Sequence, residues 1–484
     1  METNQEKKII IEIPRPAITS LIFEGGGVKG LAYAGAFRAL KEKTGLLDRL
    51  TWVAGSSAGA MTALMVALNY TPDEIERELT AVDFSKFTSP QGGRLGAIYG
   101  YITKLKDISS INQGMYDGKE LYKWVQKIVE KKLGNVFATF SDLKKARDEN
   151  EENTSNYTAY KNLLIIVTNA DKNKTEIFSW ENTPNLQIAD AVLASMSIPG
   201  YFWTRYIDKD AMREIDWEPT QEKINRSNHK LVPYVDGGVL NNYPIDIFCD
   251  RKYWLPEYYG LASSHNYNPS SLGLRVDTKV EVAYISEQHN MALKEGAACE
   301  LSLWHPKEYI EDKLSSILTF LTSDLNKVEQ YIRSTIGIED CDVKTTDFNL
   351  TETSKNALKE NGKKAVDVFY NNFLKENVFK RMIYNNFTDL EADHCKIKEL
   401  IQVINDLNYK DKPFDEFVLP SLKLKSRLIS EKRFELTQLN KNTSAQTHFF
   451  VSNTSDTVSR SSISDIAKGQ NEGAEIKEAQ YLHM

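Results

Sequence analysis

The run Leu50-Thr51-Trp52-Val53-Ala54-Gly55-Ser56-Ser57-Ala58-Gly59 constrains this chain more than any other stretch. Leu50 to Gly55 reads as a short buried strand. Gly55 to Gly59 then spells G-x-S-x-G around Ser57, and Ala60 to Leu68 is apolar at nearly every position, as a buried helix would be. Gly55 and Gly59 lack a Cβ, so the strand can reverse sharply and the new helix can pack close to the sheet. Ser57 is left at the tip in a strained conformation. The positive end of the helix favours negative charge there, which suits the oxyanion formed when an ester carbonyl is attacked. An ordinary Gly/Ser turn between core elements has the same composition, and the motif alone does not separate the two.

An earlier glycine cluster does. Ala17 to Phe23 reads as a strand, Glu24-Gly25-Gly26-Gly27-Val28-Lys29-Gly30 follows, and Leu31 to Lys43 reads as an amphipathic helix closed by Gly45. Gly25, Gly27 and Gly30 also fit the G-x-G-x-x-G spacing of a dinucleotide site, which requires an acidic residue at the end of the next strand. That strand ends in Gly55 and Ser57 instead. What survives is an oxyanion hole, with the N–H groups of Gly25, Gly26 and Gly27 facing the developing charge. One such donor is worth about 3 kcal/mol of transition-state stabilisation. Far along the chain, Val232 to Asp236 reads as a strand ending in a carboxylate, with Gly237 and Gly238 turning the chain away. An Asp-Gly pair after a strand is also a common turn signal and decides nothing by itself.

Together these stretches resemble the patatin-like phospholipases. That family carries a G-G-G-x-[KR]-G loop, a G-x-S-x-G elbow and a D-G-[GA] motif, and works with a Ser-Asp dyad. The resemblance implies Ser57 as nucleophile, Asp236 as its partner, and Gly25 to Gly30 as the oxyanion loop with Lys29 as its basic residue. Gly30, Gly55, Gly59, Gly237 and Gly238 support these motifs. Ala194-Ser195-Met196-Ser197-Ile198-Pro199 looks like the family's A-S-x-x-x-P segment, and Asn242-Tyr243-Pro244 follows the Asp236 loop as expected. The resemblance implies a three-layer α/β/α fold with a mostly parallel central sheet. It also implies a lipid acyl hydrolase of phospholipase A type that needs no metal or cofactor. A neutral-lipid lipase or transacylase with the same dyad, or a silent binding protein, are the alternatives.

Composition bounds the rest. With 484 residues, 41% of them hydrophobic and 26% charged, the chain can bury a large core. A net charge of -7 argues against a general nucleic-acid binder and gives no global attraction to anionic lipid, so membrane contact must be local. The four cysteines, Cys249, Cys299, Cys341 and Cys395, form neither a zinc spacing nor a disulfide framework and suit a reducing compartment. Glu12 and Pro14 cut the first apolar run too short for a signal peptide, and no run reaches the roughly eighteen apolar residues of a membrane span. The expected location is cytoplasmic or, by the resemblance to bacterial effectors, translocated into a host cell and peripheral to its membranes.

Domain expectations follow the same sequence. Residues 1–16 read as a tail, 17–373 as the patatin-like domain, 374–440 as a helical region and 441–484 as a disordered tail resembling effector export signals. Thr71-Pro72-Asp73-Glu74 opens a helix, and Phe84 to Gly114 reads as a packed loop or part of an acyl-chain lid. Asp142 to Tyr157 reads as a surface insertion, disordered at Glu149 to Thr154. Leu163 to Thr168, Leu272 to Val276 and Val280 to Ile285 read as strands. After Phe373, Thr388 to Glu391 reads as a capping box for a helix with Leu390, Ile397, Ile401, Ile404 and Leu407 on one face, and Leu422 to Leu439 as a second helix rich in Lys and Arg. Such a region serves equally as a structural cap or as a surface for a membrane or a partner, and the resemblance implies an activating host protein there.

The base is the chemical difficulty. An ordinary Asp, with a pKa of about 3.9, is a weak acceptor for a serine proton unless burial raises it. None of the seven histidines has a catalytic setting in the sequence, although His229, just before the Asp236 strand, stays open.

Overall fold

The computed structural model describes residues 8–81, 114, 116–153, 160–208, 231–259, 268–294, 331–345, 347, 349–375, 378–406 and 419–450. The first part of the chain forms β1 (Ile9–Pro14), β2 (Ser20–Phe23), α1 (Ala32–Glu42), β3 (Trp52–Ser56), α2 (Ala58–Ala67), α3 (Pro72–Ala81), α4 (Lys119–Leu133) and α5 (Phe140–Asn153). Then come β4 (Asn162–Asn169), β5 (Lys174–Phe178), α6 (Ile188–Ser195), β6 (Arg205–Ile207), β7 (Val232–Asp236), α7 (Pro256–Tyr259), β8 (Ser271–Asp277), α8 (Lys279–Lys294), β9 (Thr335–Glu339) and α9 (Glu352–Phe369). The described chain ends with β10 (Val378–Tyr384), α10 (Phe387–Asp406) and α11 (Leu419–Phe450).

The main sheet has the order β6-β7-β4-β3-β2-β8-β9, with β5 also on β4. Five neighbouring strands, β4, β3, β2, β8 and β9, run parallel; at the β4 side β5 and β7 pair antiparallel to β4, and β6 pairs antiparallel to β7. This is the mostly parallel α/β sheet expected. Its central strands β2, β4 and β8 are buried at every residue, on both faces, so their apolar pattern is continuous rather than alternating. Side chains still alternate between faces. Leu21, Val53 and Leu163 enter one core with α1, α2 and α6, while Ile22, Ala54 and Leu164 meet Tyr243, Phe248 and Tyr253 on the other. Every residue of α2 is buried, which explains why it reads as apolar all round.

Several local expectations change. Val280–Ile285 belongs to α8 and not to a strand. Thr278 and Glu281 cap that helix reciprocally, Glu281 accepting from the Thr278 N–H at 2.8 Å, and this fixes a helical start despite the β-branched residues. Glu149 to Asn153 is the end of α5, whose start is fixed by Thr139 and Asp142 in the same way. The cap of α10 is Asn386, whose Oδ1 accepts from Asp389, two residues ahead of the expected Thr388. The expected tail 1–16 contains β1, which pairs with β10 in a two-stranded sheet, a partner too distant in sequence to be read locally. The last helix runs to Phe450, past the expected start of disorder, because each residue added to a formed helix needs no new nucleation. Residues 84–113, which carry nearly all of the expected lid, lie outside the described residues.

The chain divides into two compact units. One comprises Glu12–Leu255 and Tyr267–Arg381 and contains the main sheet; the other comprises Met1–Ile11, Pro256–Asn266 and Met382–Met484. The second has its own core, in which Leu390, Ile397 and Ile401 of the expected stripe meet Ile11, Ile429 and Leu436.

Candidate active site

β3 ends at Ser56, and Ser57 stands at the turn into α2 with φ 51° and ψ -124°, a conformation that a non-glycine residue adopts only when its surroundings enforce it. The enforcement is visible. A Cβ on Gly55 would lie 2.2 Å from the Gly59 carbonyl oxygen, so no larger residue lets α2 come this close to its strand. The Ser57 N–H donates to Ser195 Oγ at 2.9 Å, and the Ser195 hydroxyl donates to the Ile166 carbonyl of β4 at 2.6 Å. Ser195, at the end of α6, thus fastens the elbow to the sheet.

Asp236 ends β7. Its N–H donates to the Ser197 carbonyl at 2.9 Å, Oδ1 accepts from the Gly238 N–H at 2.7 Å, and Oδ2 accepts from the Ser57 hydroxyl at 2.7 Å. Burial pushes its carboxyl up to about 7, and the bonds from Ser57 and Gly238 offset only part of that shift. A buried carboxylate poised near neutrality is a far better proton acceptor than an exposed one. Among the described residues, the side-chain hydrogen bonds of the pair involve no histidine; His229 lies outside them. His289 instead faces the Ile332 and Thr335 carbonyls, and His394 faces Ser426, Ser430 and Arg433.

The glycine turn follows β2. Gly27 has φ +55°, and a Cβ there would fall 2.1 Å from the Thr345 carbonyl oxygen, so glycine is required twice over. Of the three expected donors, Gly25 is already engaged. Its N–H donates to the Asn242 carbonyl at 3.1 Å, and the Asn242 side-chain amide donates back to the Gly25 carbonyl at 3.1 Å and to Glu24 Oε1 at 3.2 Å. Gly26 and Gly27 remain as the N–H groups at the cleft. The Lys29 N–H donates to the Gly26 carbonyl within the loop at 3.2 Å, while its Nζ reaches out of the loop to lie 2.6 Å from Asp340 Oδ2, with both side chains largely buried. Gly30 packs on Ala58 of α2, and Gly237 on Ile166 of β4.

Beneath the turn lies a buried charge cluster. Arg275 pairs with Asp277 at 2.6 Å and with Glu24 at 3.4 Å, and Glu24 Oε2 accepts from the Val276 N–H at 3.1 Å. The Ser195, Ser197 and Asn242 contacts lie in segments the family resemblance already included, without a role. Glu24, Arg275, Asp340 and Thr345 carried no sequence signal beyond being polar.

Above Ser57 opens a cleft of about 280 Å³ bordered by Gly25, Gly26, Gly27, Asp236, Asn242 and Thr345. On the other side of Ser57 is an apolar pocket walled by Met61, Leu79, Leu121, Trp124, Met196 and Phe202. Among the described residues no group of three or more His, Cys, Asp or Glu side chains could hold a metal. No described helix is long and apolar enough to cross a membrane.

Residues 21–249 match the family model described as patatin-like phospholipase. The chain is 28% identical over 351 residues to the uncharacterized protein YqhO of Bacillus subtilis, covering 72% of this chain and 96% of that protein. It is 25% identical over 228 residues to a protein of Invertebrate iridescent virus 6 named "Probable lipid hydrolase 463L", covering 47% of this chain and 62% of that protein. Among solved structures, VipD from Legionella pneumophila aligns over 91% of this chain and 90% of its own, with 19% identity and a TM-score of 0.43.

Proposed function

Because residues 21–249 of this chain form a domain of the patatin-like phospholipase family, we propose that the protein is a serine acyl hydrolase of phospholipase A type that releases fatty acids from membrane phospholipids. The observation that carries this is the 2.7 Å bond from Ser57 Oγ to an Asp236 carboxylate whose pKa lies at about 7. Ser57 Oγ attacks the ester carbonyl carbon and its proton passes to Asp236 Oδ2. The oxyanion takes hydrogen bonds from the Gly26 and Gly27 N–H groups. Collapse breaks the bond to the leaving alcohol, which takes the proton from Asp236 and departs as a lysophospholipid. Water, giving its proton to the same carboxylate, then attacks the acyl-enzyme and frees the fatty acid and Ser57.

The apolar pocket beside Ser57 suits an acyl chain, and the open glycine-lined cleft suits the glycerol and head group. No metal or cofactor has a step in this chemistry. We take residues 17–373 as the catalytic part and the helical region from 374 to 440 as its accessory. Phe434, 67% exposed on α11, is a candidate contact to a membrane surface or an activating protein partner. The protein would then act at the membrane surface from the aqueous side. The test is fatty-acid release from mixed phospholipid vesicles by purified protein, with and without eukaryotic cytosol. Release that depends on Ser57 supports the proposal, and none under either condition contradicts it.

A further inference from the structure

The loop from Asp340 to Thr345 lies far beyond the family-matched segment, yet it touches the glycine turn at two points. Thr345 gives its carbonyl to the Val28 N–H at 3.2 Å and stands against Gly27, where a Cβ would meet that same oxygen at 2.1 Å. Asp340, 3% exposed, takes the Lys29 ammonium at 2.6 Å. The loop is itself anchored. The Asp340 N–H donates to the Asp277 carbonyl at the end of β8, and Asp340 Oδ1 accepts from the Asp342 N–H at 3.0 Å. Cys341 and Asp342 follow with φ of 55° and 58°, two successive non-glycine residues in the left-handed region. Such strain persists only where the surrounding structure enforces it.

We infer that Lys29 and Asp340 form a latch by which the 340–345 loop holds the Gly26 and Gly27 N–H groups in line with Ser57. They are positioning residues, and Lys29 is not a contact for a lipid phosphate. The inference rests on Gly26 and Gly27 being the oxyanion donors. A carboxylate and an ammonium so well buried stay together, because separating them leaves a charge without a partner. Their bond therefore fixes the backbone at residue 29, while Thr345 fixes it at residues 27 and 28. The turn between the two anchors has no freedom to rotate its amides away from the cleft.

The test compares Asp340→Asn, Lys29→Met, Lys29→Arg and the Asn/Met double variant with the wild type on a soluble p-nitrophenyl ester. Amide hydrogen exchange is read at Val28 and, as a control, at Val53 in β3. The latch predicts that kcat falls about 10- to 100-fold in Asp340→Asn and Lys29→Met, as a displacement of about 1 Å would produce, with KM within about twofold. The double variant should be no worse than either single one, and Lys29→Arg should retain most of the rate. Exchange at Val28 should quicken about tenfold with Val53 unchanged, a pattern that general loss of stability does not give. Wild-type kcat in either single charge-removing variant overturns the latch, as does a change confined to KM or an unchanged Val28. If the wild type hydrolyses no ester, the proposed function fails, while Val28 exchange still decides whether Asp340 holds the turn.

Discussion

Asn242 and Gly25 bond to each other twice, the Gly25 N–H to the Asn242 carbonyl and the Asn242 side chain to the Gly25 carbonyl, both at 3.1 Å. Since Asn242 lies six residues beyond Asp236, this pair ties the loop of the proposed base to the loop of the proposed oxyanion donors. Asn242→Ala removes the side-chain half and leaves Glu24 without one of its donors. We expect kcat on a soluble ester to drop about 10- to 100-fold with little change in KM. An unchanged kcat would mean that the two loops hold their places independently.

The raised pKa of Asp236 gives two pH dependences of opposite sign. As a base it works only when ionised, so the rate should rise about tenfold per pH unit below about 7 and level off above about 8. Stability runs the other way. The folded pKa lies above the unfolded value of about 3.9, so the folded state favours the neutral form, and its contribution is full below about pH 4 and lost as pH rises through about 7. Asp236→Asn should therefore melt higher than wild type at pH 8, with the difference shrinking towards pH 4. Calorimetric melting at both values checks this, and a difference independent of pH contradicts it.

The buried Glu24–Arg275–Asp277 cluster should be intolerant of partial removal. Arg275→Met removes the cation that lies 2.6 Å from Asp277 and 3.4 Å from Glu24, two carboxylates at most 4% exposed, and the expected loss is about 3–5 kcal/mol of stability. Denaturant unfolding measures it. A loss below about 1 kcal/mol would show that the cluster is not held by its charges.

On α11, Phe434 is 67% exposed. Phe434→Ser should leave turnover of a soluble ester unchanged and lower the rate on vesicles. Equal loss on both substrates would make Phe434 part of the fold and not of a docking surface.

How much of this was legible in the sequence depended on the range of the contact. The strand, turn and helix around Ser57 could be read because Gly55, Gly59 and the apolar run that follows are local signals. That Ser57 and Asp236 belong together came only from the resemblance, since they stand 179 positions apart and nothing between them indicates the fold that joins them. The Lys29–Asp340 bond spans 311 positions and had no signal at all. Val280–Ile285 misled for a different reason. Its β-branched residues suit a strand, but the caps at Thr278 and Glu281 decide the local structure, and short apolar runs do not tell strand from helix by themselves. Glu149 to Asn153 was misread through composition, because a polar run looks disordered until the helix it continues is known.

The central claim is that Ser57 and Asp236 act as one unit on lipid esters. The most direct measurement is fatty-acid release from phospholipid vesicles by wild type, Ser57→Ala, Asp236→Asn and the double variant, made under the conditions that give the highest wild-type rate. The account predicts that each single substitution lowers the rate by at least about 100-fold and that the double variant is no slower than the worse single one. Full activity in Asp236→Asn, or in Ser57→Ala, would contradict it.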